Sequence, residues 1–178
     1  MNGRAPHPPP GPGGRAGRIT PTELVRYWGV VAAWMAVISI LSGEPFSARN
    51  TNRYLDPILR FFFPALTPAG FVLAHSVIRK TAHFAEFFIL GCLGFWAARR
   101  GREPRWRLGW MLQTVGLAVG YALLDEAHQA LVASRTASLI DSGIDILGAL
   151  ASQGLIYALR VRRAGGAPPD APAARPRA

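Results

Sequence analysis

Four apolar runs, each near twenty residues, alternate along the chain with short polar breaks. The first is Leu24 to Ser42, preceded by Pro21 and ended by Gly43 and Pro45. The second is Val77 to Ala98, closed by Arg99 and Arg100. The third starts at Leu108 and ends near Ala133; the fourth is Leu139 to Leu159, followed by Arg160, Arg162 and Arg163. A helix needs about 20 apolar residues to cross the hydrocarbon of a bilayer. The pattern therefore predicts an all-α integral membrane bundle of four transmembrane helices. Residues 57–73 are apolar but interrupted by Pro64, Pro68 and Gly70, which predicts an interfacial or re-entrant segment rather than a span. Residues 1–20 and 164–178 are Pro, Gly, Ala and Arg with few large apolar side chains. They are expected to be disordered tails around a membrane domain of residues 21–163.

The runs are not uniformly apolar. Lys80, His83 and Glu86 fall at i, i+3, i+6 in the second run and share one broad helical face. Asp125, His128 and Gln129 fall at i, i+3, i+4 at the end of the third, with Glu126 three residues before Gln129. Asp141 and Asp145 are i, i+4 in the fourth, and Gly148 extends that stripe where a neighbouring helix can approach closely. Counted from the helix ends, Glu86, Asp125 and Asp145 each lie roughly 9–12 Å inside, so three helices place carboxylates at one level. Lys80 and Arg135 are expected to pair with acids of the third and fourth spans. Ionisable groups inside a bilayer are costly and point to function by default.

Composition sets the orientation. Charged residues make up 17% of the chain, below the roughly 25% of soluble domains. The formal net charge is nevertheless +10, and Lys80 is the only lysine. The arginines sit at the ends of apolar runs, without interleaved aromatics on a helical face, which argues for membrane flanks and against nucleic acid. Five arginines lie within residues 99–107, against one, Arg135, between the third and fourth spans. Both termini and the 99–107 loop are therefore expected in the cytoplasm, and both polar knots at the extracytoplasmic face. The single Cys92 excludes a disulfide framework and reads as a packing residue.

Lys80-x-x-His83-x-x-Glu86-Phe87, Asp125-Glu126-x-His128-Gln129, Arg135-x-x-Ser138-x-x-Asp141 and Asp145-x-x-Gly148 together resemble the VanZ-like family of bacterial membrane proteins. The likeness covers about residues 24–160. It departs from the family pattern at Ala130–Ser134, where an aromatic and further polar residues are common, and at Ile144–Leu147, where an Asn often stands. The resemblance implies a multi-pass protein of the bacterial cytoplasmic membrane, with a link to teicoplanin resistance through the founding member.

Three chemistries fit the residues. A pocket at the outer leaflet could bind an amphiphilic or lipid-linked envelope molecule, with Lys80 and Arg135 on its anionic group and Phe61, Phe62 and Phe63 against acyl chains. A membrane enzyme could use His83 and His128 beside carboxylates for acid/base work. A proton-coupled carrier would need polar groups running through the membrane, whereas these gather at one face. A structural polar network is the non-functional alternative. No metal or cofactor is assigned: His83-x-x-Glu86 and Asp125-x-x-His128 have helical metal spacing, but only two histidines are at hand and the Lys80 cation would oppose an ion. His75 reads as an interfacial residue outside the constellation.

Overall fold

A computed structural model of the chain describes residues 20–43, 48–100, 106–130 and 139–165. The tails, Arg135 and Ser138 lie outside these residues. Helix α1 is Pro21–Leu41, α2 Ala48–Phe62, α3 Pro68–Arg99, α4 Leu108–Ala130 and α5 Leu139–Gly165. Helices α1, α3, α4 and α5 are long and apolar enough to cross a membrane. Thr20 caps α1: its hydroxyl accepts from Glu23 N while the Glu23 carboxylate accepts from Thr20 N. This reciprocal pair satisfies two amides that the first turn leaves free, and Pro21 at the first position has none to satisfy.

The interrupted stretch 57–73 divides into three. Residues 57–62 are the end of α2, 63–67 turn, and Pro68 opens α3. Helix α2 has 15 residues, about 22 Å, too short for a span. It is strongly amphipathic: Leu59 is buried, while Ile58, Phe61 and Phe62 stand exposed. That is the pattern of a helix lying in the interface. Pro68 and Gly70, expected to interrupt, instead start the next helix. Proline at a first helical position costs no hydrogen bond, and the Thr67 hydroxyl accepts from Gly70 N at 3.2 Å. Helix α3 is consequently 32 residues long, about 48 Å. It begins nine residues before the expected Val77, and its first turns project beyond a hydrocarbon core of about 30 Å.

Helix α3 is central. It packs against α1, α4 and α5, and most extensively against α5. The α3–α5 pair is parallel with a constant offset of 62 residues: Arg79 meets Asp141, His83 meets Asp145, and Gln153 Nε2 donates to Gly91 O at 3.0 Å. Small residues permit this approach. A Cβ on Gly148 would overlap the backbone oxygen of Phe84, and one on Gly91 would overlap the Ser152 hydroxyl. In lipid, close packing of this kind and interhelical hydrogen bonds hold helices together, because lipid is as apolar as their faces. Helix α1 is tied on by Trp34, whose indole N–H donates to Glu86 O at 3.0 Å, and by Ser39 Oγ, 2.7 Å from the Tyr121 hydroxyl of α4. Val31, Ile38, Phe87, Leu90, Ala118, Tyr121, Ala122 and Ala149 form the shared core.

Candidate functional site

One end of the bundle collects the acids. There the last turn of α1, the first half of α3, the end of α4 and the start of α5 meet. Three residues of α3, His75, Arg79 and His83, form an i, i+4, i+8 stripe, the row one above another on a helix face. Each meets an acid. His75 Nε2 is 2.6 Å from Asp56 Oδ1 of α2, Arg79 donates to Asp141 Oδ2 of α5 at 3.0 Å, and His83 Nδ1 is 3.2 Å from Asp145 Oδ1. The stripe passes from an outer polar rim to a buried pair in two turns.

The deepest tier is a three-helix cluster. His83, Asp125 and Asp145 are 6%, 4% and 3% exposed, and one potential ligand atom from each lies within 4.8 Å of the others. Asp125 Oδ2 accepts from Ser42 Oγ at 2.9 Å and from Gln129 Nε2 at 2.8 Å. Ser42 comes from the end of α1, so four helices converge on this carboxylate level. Among the described residues, Asp125 Oδ1, Asp145 Oδ1 and His83 Nδ1 are all buried without a hydrogen bond; the 3.2 Å ion-pair approach of His83 to Asp145 lacks hydrogen-bond alignment. Buried polar atoms left in this state are costly and call for an explanation such as an ion or a water. This donor set, one imidazole and two carboxylates, suits a divalent cation of the zinc or manganese kind.

The residues singled out by spacing are placed as follows. Lys80 is exposed and does not reach the acids through the face expected of it; Arg79 takes the ion pair with Asp141 instead. The physical reason is rotation. Neighbouring helical residues are about 100° apart, and it is Arg79 and His83, one turn apart, that face the acids of α5, which turns Lys80 away from them. Glu86 is half-buried and lines a cavity, so His83, one turn earlier, is the α3 residue at the level of Asp125 and Asp145. Gln129 is buried on Asp125. Glu126 is half-buried with Ser142 Oγ 3.5 Å from its Oε2. The backbone of His128 lies in α4; its side chain, like the whole of Arg135, lies outside the described residues. Ser42 and Arg79 complete the site. Spacing on a single helix offers no signal for either, because Ser42 contributes from the end of a different span. His75, read as a lone interfacial residue, belongs to the stripe.

Beside the cluster opens a cavity of about 290 Å³ between α1, α2 and α3. Leu41, Leu55, Ile78 and Ala82 give it an apolar wall; Thr51, Asn52, His75, Arg79, His83 and Glu86 give it a polar one. Ser42 and His83 belong both to this wall and to the buried cluster.

Four spanning helices, an interfacial helix and a polar pocket sunk into one end define an integral membrane protein with an intramembrane polar site. The chain matches the VanZ/LLP1 family over residues 27–160, most of its length. It belongs to that family. No curated protein and no solved structure matches it.

Proposed function

We propose that the cavity binds the head group and first carbons of an anionic, lipid-linked envelope amphiphile at the outer leaflet of the bacterial cytoplasmic membrane. The observation that carries this reading is the two-sided lining. An apolar wall at the lipid boundary faces a row of donors headed by Arg79, whose side chain keeps 34% of its surface exposed while holding Asp141. A guanidinium so placed has donors left for a phosphate or carboxylate. Helix α2 contributes Thr51, Asn52 and Leu55 to the cavity wall, and its exposed Phe61 and Phe62 would be offered to acyl chains if it lies in the interface. On this reading both termini are cytoplasmic, and a resistance role carried over from the family would act by sequestering such a molecule.

The test is binding in nanodiscs, with a polyprenyl phosphate and phosphatidylglycerol as separate probes. The expected result is saturable binding of the polyprenyl phosphate, weakened about tenfold by Arg79→Gln, the loss of one charge-assisted contact, and unaffected by Lys80→Gln. Equal effects of the two substitutions, or no saturable binding of either lipid, would sink the reading. Reporter fusions at both termini test the orientation.

A further inference from the structure

We infer that His83, Asp125 and Asp145 form a three-ligand site for a divalent transition cation, zinc or manganese, opening on the α1–α2–α3 cavity. This goes beyond lipid binding and does not depend on it.

Four observations converge. First, the three side chains come from three different helices and are each at least nine-tenths buried, and one ligand atom of each lies within 4.8 Å of the others. Ligands bound at about 2.0–2.2 Å in a tetrahedral arrangement stand roughly 3.3–3.6 Å apart, so atoms that lie within 4.8 Å of one another have to close by about 1 Å at most, within reach of side-chain rotation. Secondly, among the described residues His83 Nδ1, Asp145 Oδ1 and Asp125 Oδ1 have no aligned hydrogen bond. His83 Nδ1 and Asp145 Oδ1 form an ion-pair contact at 3.2 Å without hydrogen-bond alignment, which leaves both atoms able to turn to a third. Thirdly, Asp125 is oriented from outside. Ser42 Oγ and Gln129 Nε2 both donate to its Oδ2, which leaves Oδ1 for the interior. Donors of this kind fix a ligating carboxylate and are part of most metal sites. Fourthly, the charges balance. Two carboxylates and a neutral imidazole carry −2, which one divalent cation cancels where solvent does not. Lys80, which would oppose an ion, is exposed, and the nearby Arg79 guanidinium is held by Asp141.

A structural zinc site is closed by four protein ligands, whereas three leave a position for water or substrate. Of the three ligands His83 lines the cavity and the two aspartates do not, so a cation held by them would be reached from the cavity past His83. A cation there would polarise a phosphoryl or carbonyl oxygen brought to it.

The experiment uses full-length protein, purified in detergent, stripped with chelator and dialysed separately against Zn²⁺, Mn²⁺, Mg²⁺ and Ca²⁺. Bound metal is counted by plasma mass spectrometry, and Co²⁺ serves as a visible-spectrum probe. The expected result is one zinc or manganese ion per chain and a cobalt spectrum of low-coordination nitrogen and oxygen ligands. His83→Gln and Asp145→Asn should each lower affinity more than about tenfold, and Asp56→Asn, an acid of the outer rim, should not. Binding of no transition ion by the wild type overturns the site, as does affinity unchanged in both variants or lost equally in Asp56→Asn. Should the variants fail to fold, the wild type still decides: an absent ion together with an unshifted Tm on adding Zn²⁺ or Mn²⁺ overturns the site, since an ion bound to the native state alone must raise it.

Discussion

The two ends of the α3–α5 pair share one register and differ in chemistry. At one end Arg79, His83, Asp141 and Asp145 face each other, and Asp125 joins from α4. At the other, aromatic rings do the packing: Phe95 with Trp110, Trp106 with Tyr157, and Tyr27 with Trp96. The arginines there flank the bundle. Arg107 lies over the Trp110 ring and Arg26 over Tyr27, and Arg99 and Arg160 line a cavity of about 230 Å³ with Cys92, Phe95 and Ile156. Both ends are therefore charged and both hold a cavity. The difference is where the charge sits. Arginines stacked on interfacial rings stay near water and cost little. Carboxylates buried at the acid end are expensive, and a fold does not need them for cohesion, because Gly91, Gly148 and Ser152 already supply that between the ends. This contrast supports placing the proposed function at the acid end.

Substitutions can break the contrast at three places. The largest effect is expected at the seam both ends share. Gly148→Val should destabilise by about 3 kcal/mol or more, because its side chain meets backbone of α3 that cannot rotate away. Gly109→Ala, which meets nothing within 4 Å, should be neutral or slightly stabilising. Unfolding of the two variants in detergent micelles checks this, and comparable losses would mean that the seam does not hold the helices.

Next comes the buried tier. Ser42→Ala removes one of two donors to Asp125 Oδ2 and should cost about 1–3 kcal/mol, with α1 loosening at its C-terminal end. Hydrogen exchange resolved along the chain reads this out as faster exchange in residues 36–42 and not in 21–28. Uniform exchange along α1 would refute the local role of this bond.

The ion pair at the rim is worth less. Arg79→Gln should lower stability by about 1 kcal/mol, since its guanidinium is partly solvated, while weakening lipid binding tenfold as above. A stability loss that accounts for the whole binding loss would return Arg79 to a purely structural role. The smallest effect is at the opposite end. Arg107→Ala should cost about 0.5–1 kcal/mol, the value of an exposed cation–π contact, and leave ligand affinity unchanged. A shift in affinity would mean that the two ends are coupled.

The same contrast shows how far a linear reading reaches. The four spans and the gathering of acids at one end were legible, because both follow from counting apolar residues and from helical rise. Asp141 and Asp145 were placed on one stripe, and Gly148 on the close face, by the same periodicity. The partner of Asp141 was not legible. Lys80 and Arg79 are adjacent in sequence, and nothing in the spacing of one helix says which of them turns inward. The hydroxyl of Ser42 looked like the end of a span, and His75 like an interfacial residue outside the constellation, because each meets its partner across a helix boundary. Pro68 and Gly70 looked like breaks because a proline starting a helix and a proline ending one read alike until the cap at Thr67 is seen.

The sequence by itself determined that this chain has four segments able to cross a membrane, that acids of three of them gather at one end, and which residues share a face within each helix. These depend on rise, period and hydropathy, properties a single helix has alone. Only the tertiary structure decided that α3 turns its 75–79–83 row to the acids, that α5 lies parallel to it at an offset of 62 residues, and that His83, Asp125 and Asp145 meet. Rotation and register are properties of a pair of helices. Here they are set by where glycines let two backbones touch, and that contact exists only once the helices have packed.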